Sequence, residues 1–157
     1  MQSDECVGRT EPEAKPKMAN QQYAFLRRGN VPSRDAWQAA IDEAGFDLQL
    51  DPEMRPFEDS GFSPCKLEGR DSGCEIDYDG SRELLDAFPE LVGDHDYCIS
   101  FRWGGDMSEC ACAMIASYAL AKNFGATVSY EGEPPTETLE IFLSETREIV
   151  RDARGGS

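Results

Sequence analysis

Basic residues are scarce in this sequence: 15 lysines and arginines stand against 31 aspartates and glutamates, a formal charge of −16. A field of that sign repels nucleic acid and anionic membrane surfaces and attracts cationic partners. Histidine is almost missing. His95 is the only one, set in the polar run Gly93-Asp94-His95-Asp96, so nucleophilic chemistry that needs an imidazole base has a single, solvated candidate. The sequence contains no C-x-x-C pair, no glycine-rich phosphate loop, no H-E-x-x-H and no G-x-S-x-G. These absences remove the common signatures of metal, nucleotide and hydrolase sites. No apolar stretch reaches the length of a membrane span or forms the core of a secretory signal, so the expected location is the cytoplasm.

What is present suffices for one core. The chain has 157 residues, 39% of them hydrophobic, which is the size and composition of a single domain. A domain of this size needs neither metal nor disulfide to fold, and no cofactor is expected. The six cysteines are expected to be reduced thiols packed as small hydrophobes. Residues 1–20 hold seven charged residues and two prolines with almost no large apolar group, and are expected to be a disordered tail before a domain at 21–157.

Local pattern predicts an α+β fold. A strand at Tyr23–Leu26 precedes a helix capped by Ser33, with Ala36, Trp37, Ala40, Ile41 and Ala44 at helical spacing and Gly45 after it. Phe46, Leu48 and Leu50 alternate with Asp47, Gln49 and Asp51 as in a half-buried strand, followed by a loop from Asp51 to Gly61. The runs Phe62–Leu67 and Cys74–Tyr78 flank a turn-rich Glu68–Gly73 and read as a hairpin. A short helix over Ser81–Phe88 is stopped by Pro89. Tyr97, Ile99, Phe101 and Trp103 alternate with polar or small residues, the clearest strand in the chain. Asp106 and Glu109 then make a capping box for a helix near 107–123, apolar on every face and therefore central and buried. A strand at Ala126–Tyr130 and a helix from Thr136 to Ala153 complete an antiparallel or mixed sheet of about five to six strands, with three to four helices packed on one face.

Charge concentrates in the middle of the chain. Between Asp47 and Asp96 lie 15 acids and four bases, a net of −11. The alternation of a strand puts Glu75, Asp77 and Asp79 on the side opposite Cys74, Ile76 and Tyr78. The expected function is non-enzymatic binding of a basic protein, with no nucleic acid and no membrane partner. The expected contact residues are Asp47, Asp51, Glu53, Glu58, Asp59, Glu75, Asp77 and Asp79, with Trp103 or Phe57 as aromatic anchor. An alternative is a small enzyme or ligand-binding domain at the strand-to-helix turn Arg102-Trp103-Gly104-Gly105-Asp106, where a helix N-terminus can hold an anion.

Two metal readings fare worse than their structural counterparts. Glu75 to Asp86 spaces oxygen ligands somewhat like a calcium loop around Gly80. Arg82 and the short Asp86 depart from that pattern, and a strand leading through an Asp-Gly turn into a capped helix explains the same residues. Cys110 and Cys112 are two residues apart, about 200° around a helix, and cannot readily share one zinc.

The segments Phe25-Leu-Arg-Arg-Gly, Leu48-Gln-Leu-Asp, Gly61-Phe-Ser-Pro-Cys and Ile99-Ser-Phe-Arg-Trp-Gly-Gly-Asp-Met-Ser-Glu-Cys together resemble a family of small bacterial proteins of uncharacterised function. The resemblance spans most of residues 21–130. That family is in turn similar to the acidic immunity proteins that accompany bacterial polymorphic and contact-dependent toxins. The resemblance implies a cognate toxin as the basic partner and assigns no individual residue a role.

Overall fold

The computed structural model describes residues 20–130 and 138–156. The expected tail lies outside them except for Asn20, which already belongs to the first strand. Elements follow in the order β1 (Asn20–Leu26), a 3-10 turn (Arg28–Asn30), α1 (Arg34–Glu43), β2 (Leu48–Leu50), β3 (Gly61–Leu67) and β4 (Arg70–Asp79). After them come α2 (Arg82–Ala87), α3 (Pro89–Val92), β5 (Tyr97–Trp103), α4 (Met107–Asn123), β6 (Thr127–Tyr130) and α5 (Leu139–Gly156). The six strands form one sheet in the order β2-β3-β4-β5-β1-β6, and every neighbouring pair is antiparallel. The fold is α+β.

Helix starts follow the side-chain chemistry of their caps. Ser33 Oγ accepts from Ala36 N at 3.1 Å and Ser81 Oγ from Leu84 N at 3.2 Å, each satisfying an orphan amide of the first turn. Asp106 Oδ1 accepts from Ser108 N at 2.7 Å, but the expected reciprocal bond is redirected: Glu109 reaches past the cap to Gly104 N at 3.4 Å. Pro89 does not simply end a helix; it stands at the first position of α3, where its missing N–H costs nothing. The last helix begins at Leu139, with Thr138 Oγ1 accepting from Ile141 N at 3.2 Å; its expected start at Thr136 lies outside the described residues.

The β3–β4 hairpin differs from the sequence reading. The connection is two residues, Glu68 (φ 52°) and Gly69 (φ 82°), both left-handed. This is the arrangement of tight hairpin turns whose twist matches the flanking strands. Arg70 to Gly73, expected as turn, are therefore strand residues paired with Leu67 back to Pro64.

One sheet face carries the main core. Leu26, Ile76, Ile99, Phe101 and Trp103 pack there under Trp37 and Ile41 of α1, the central turns of α4 from Ala111 to Leu120, and Val150 and Ala153 of α5. Helix α4 is buried on nearly all sides, as its composition requires. Helices do not all lie on that face, however. Leu84, Leu85, Phe88 and Val92 of the α2–α3 segment pack against Phe25 and Cys98 on the other side. The cause is the alternation of β1 and β5, which turns Tyr23, Phe25 and Cys98 away from the main core and leaves an apolar strip to be covered.

Candidate functional site

The acidic residues do not form one continuous sheet face. Asp47 and Asp51 flank the edge strand β2, where Gln49 stands level with Asp71 through Lys66. Asp77 lies six residues further along β4, about 20 Å at strand rise, and two strands inward. The loop from Asp51 to Gly61, carrying Glu53, Glu58 and Asp59, runs between the two patches. Asp47, Glu53 and Glu58 are exposed; Asp51, Asp59, Glu75, Asp77 and Asp79 are half-buried.

Ion pairing divides these acids further. Glu75 accepts from Arg102 at 2.8 Å, its cross-strand neighbour, so it is neutralised and drops out of the free acidic set. Glu58 and Asp59 both pair with Arg55, each at 3.3 Å. Such exposed pairs contribute about 0–1 kcal/mol each, but they cancel the charge a partner would meet. Among the described residues Asp47, Asp51, Glu53, Asp77 and Asp79 form no ion pair. Asp51 and Asp79 turn one oxygen back to the amides of Glu53 and Ser81.

Trp103 is not available as an anchor. It is 5% exposed, a core residue whose ring lies 6.3 Å from that of Tyr130. Of the alternative site at the strand-to-helix turn, Trp103, Gly104, Gly105 and Asp106 lie together on the wall of one cavity, while alternation sends Arg102 to the opposite sheet face.

What the turn does border is a cavity of about 860 Å³ between α4, α5 and the β5-β1-β6 side of the sheet. That is within the range of small-molecule sites. Trp103, Met114, Val128, Phe142 and Ile149 give it an apolar lining, and Met107, Tyr130 and Leu139 at its margin are large apolar residues left unusually exposed. On the wall, the buried Gln22 amide donates to Ser117 Oγ at 2.8 Å and to Met114 Sδ at 3.3 Å, and Thr146 donates to its own helix at Phe142 O. These polar groups hold the protein's own elements. The thiol of Cys110, also on the lining, is pushed up to about 11 by burial, so it is protonated at neutral pH and a poor nucleophile. The sequence signal for this cavity is the strand-to-helix turn Trp103-Gly104-Gly105-Asp106; the lining from β6 and α5 has none.

No group of three or more His, Cys, Asp or Glu side chains among the described residues could hold a metal ion. The calcium reading fails on geometry, because Glu75 and Asp77 lie along a strand and Glu75 is held by Arg102. Cys98 sits on the far face, away from Cys65, Cys74 and Cys112. His95 is half-buried, its Nε2 3.2 Å from Thr127 Oγ1, and burial lowers its basicity against the opposing pull of Asp94 and Asp96. No helix among the described residues is long and apolar enough to cross a membrane. Compared with protein-family models, curated proteins and solved structures, the chain shows no match.

Proposed function

We propose that this chain is a non-enzymatic acidic binding protein that engages a basic protein partner, in the manner of an immunity protein facing its toxin. The observation that carries the reading is that Asp47, Asp51, Glu53, Asp77 and Asp79 form no ion pair among the described residues, in a chain of net charge −16. Their separation into two patches joined by the 51–60 loop suits a partner that presents a spread basic surface. Steering by such charges acts on the association rate and is screened over about 8 Å at physiological salt.

The test compares wild type with an Asp47→Lys, Asp51→Lys, Asp77→Lys triple variant, capturing partners from the source cell or assaying a toxin encoded beside it. The variant should bind about tenfold more slowly at low salt, with its melting temperature little changed because all three positions face solvent at least in part. Equal on-rates for the two proteins, or binding that ignores salt, would place the interface elsewhere.

The cavity supports a second reading, a carrier or sensor of a small neutral apolar molecule. Titration with N-phenyl-1-naphthylamine should give saturable fluorescence enhancement, reduced about tenfold in affinity by Cys110→Phe, which would put a ring in the space. Enhancement that is unsaturable, or unaltered by the filling substitution, would remove this reading.

A further inference from the structure

Two cysteines from distant parts of the chain meet beneath the sheet. Cys65 Sγ of β3 and Cys112 Sγ of α4 are 3.1 Å apart, bringing together positions 47 residues apart in sequence. The contact follows from the fold: Cys65 shares the inward face of β3 with Ser63 and Leu67, and Cys112 is on the side of α4 turned to the sheet. Cys110 shows the opposite placement, lining the cavity, as expected for residues about 200° apart on a helix.

We infer that Cys65 and Cys112 are a redox modification site, closed to a disulfide by a small oxidant of the hydroperoxide class and reopened by thiols. Closing the bond requires the sulfurs to approach by about 1 Å, to the normal disulfide length. Both lie on regular elements, so the approach is a small side-chain adjustment. Access is asymmetric. Cys112 is 1% exposed, whereas Cys65 is half-buried and is the more exposed residue of the pair.

The hydrogen bond between the two thiols favours ionisation of Cys112 over Cys65. The Cys65 thiol donates toward Cys112 and so holds the Cys112 sulfur below its ordinary value, with the Gly73 N–H assisting and burial opposing; the Cys65 thiol is correspondingly raised. Cys65, the more exposed residue of the pair, attacks one peroxide oxygen as its proton passes, against that preference, to Cys112, and the O–O bond breaks. The departing hydroxide takes a proton from solvent and leaves as water. Cys65 is then a sulfenic acid. The Cys112 sulfur attacks the Cys65 sulfur, the S–O bond breaks, and the hydroxide leaves with the Cys112 proton as a second water. Two thiols and one peroxide give one disulfide and two waters, with the sulfurs oxidised and the peroxide reduced.

The experiment uses the full chain carrying Cys6→Ser, which excludes pairing through the cysteine outside the described residues. After hydrogen peroxide treatment the protein should lose two hydrogens in mass, and a non-reducing digest should contain the Cys65 and Cys112 peptides joined. Dithiothreitol should restore both thiols. The melting temperature of the oxidised form should rise by about 5–10 °C, because the link constrains a long loop of the unfolded chain. Cys65→Ser, a substitution at a half-buried position, should abolish the mass loss, and Cys110→Ser should leave it intact. The inference is overturned if Cys65→Ser still loses two hydrogens or if oxygen adds without joining the peptides. It is equally overturned if the thiols survive peroxide that fully oxidises a free small thiol.

Discussion

Replacing Trp37 with alanine is expected to lower the stability of the domain by about 3–5 kcal/mol, the range for removing a large aromatic from a packed core. Trp37 is fully buried at the junction of three elements. It projects from α1, its ring lies edge-on to Phe101 of β5 at 6.3 Å, and its indole N–H donates to Ala116 O of α4 at 3.1 Å. The alanine variant therefore opens a void where helix, helix and sheet meet and removes an aromatic pair as well. Trp37→Phe keeps most of the apolar area but not the N–H donor, and should cost only about 1–2 kcal/mol, mostly for the lost hydrogen bond and reduced volume. Urea unfolding measures both. A midpoint for Trp37→Ala within error of Trp37→Phe would mean that the ring is not packed at this junction. Because a domain of this kind has about 5–15 kcal/mol in total, the alanine variant should be partly unfolded at mildly elevated temperature.

The elements that were legible in the sequence are those whose pattern is local. Tyr97, Ile99, Phe101 and Trp103 alternate because β5 lies in the middle of the sheet with its main-core face fully covered. Ser33 and Asp106 are read correctly as caps because the hydrogen bond that makes a cap spans two or three residues. The all-apolar stretch of α4 could only be a buried helix. What escaped the sequence depended on pairing across the chain. Glu75 reads as a free carboxylate until the β4–β5 register sets it opposite Arg102. Phe25 and Cys98 read as ordinary strand residues until the sheet order makes them neighbours and the α2–α3 segment covers them. The cavity is the same kind of feature, made where α5 returns over α4 and β6, and no spacing within one element announces it. Acid content was plain from composition, but how much of it remains unpaired was a question of register.

The run Glu-Gly-Arg-Asp-Ser-Gly reads as a turn, but Gly73 lies in mid-strand, and that position leads to the second large expected effect. Gly73→Ala should cost about 2–4 kcal/mol, combining backbone strain with overpacking. The backbone there has φ 150°, a conformation that favours glycine, and an added Cβ would lie 2.6 Å from Phe62 Cζ and 2.6 Å from Ser63 O. The two contacts differ in kind. Phe62 is an exposed ring, 59% accessible, lying over the glycine on the outer sheet face and free to swing away. Ser63 O belongs to the paired backbone of β3 and can move only if the β3–β4 ladder distorts. The double variant Gly73→Ala, Phe62→Ala should therefore recover only part of the loss, with about half or more remaining from the backbone contact and the torsion. Thermal unfolding of the two single variants and the double variant closes the cycle. Full recovery in the double variant would show that the ring alone enforces glycine at 73. A Gly73→Ala protein as stable as wild type would mean that β4 does not run through Gly73 in this register.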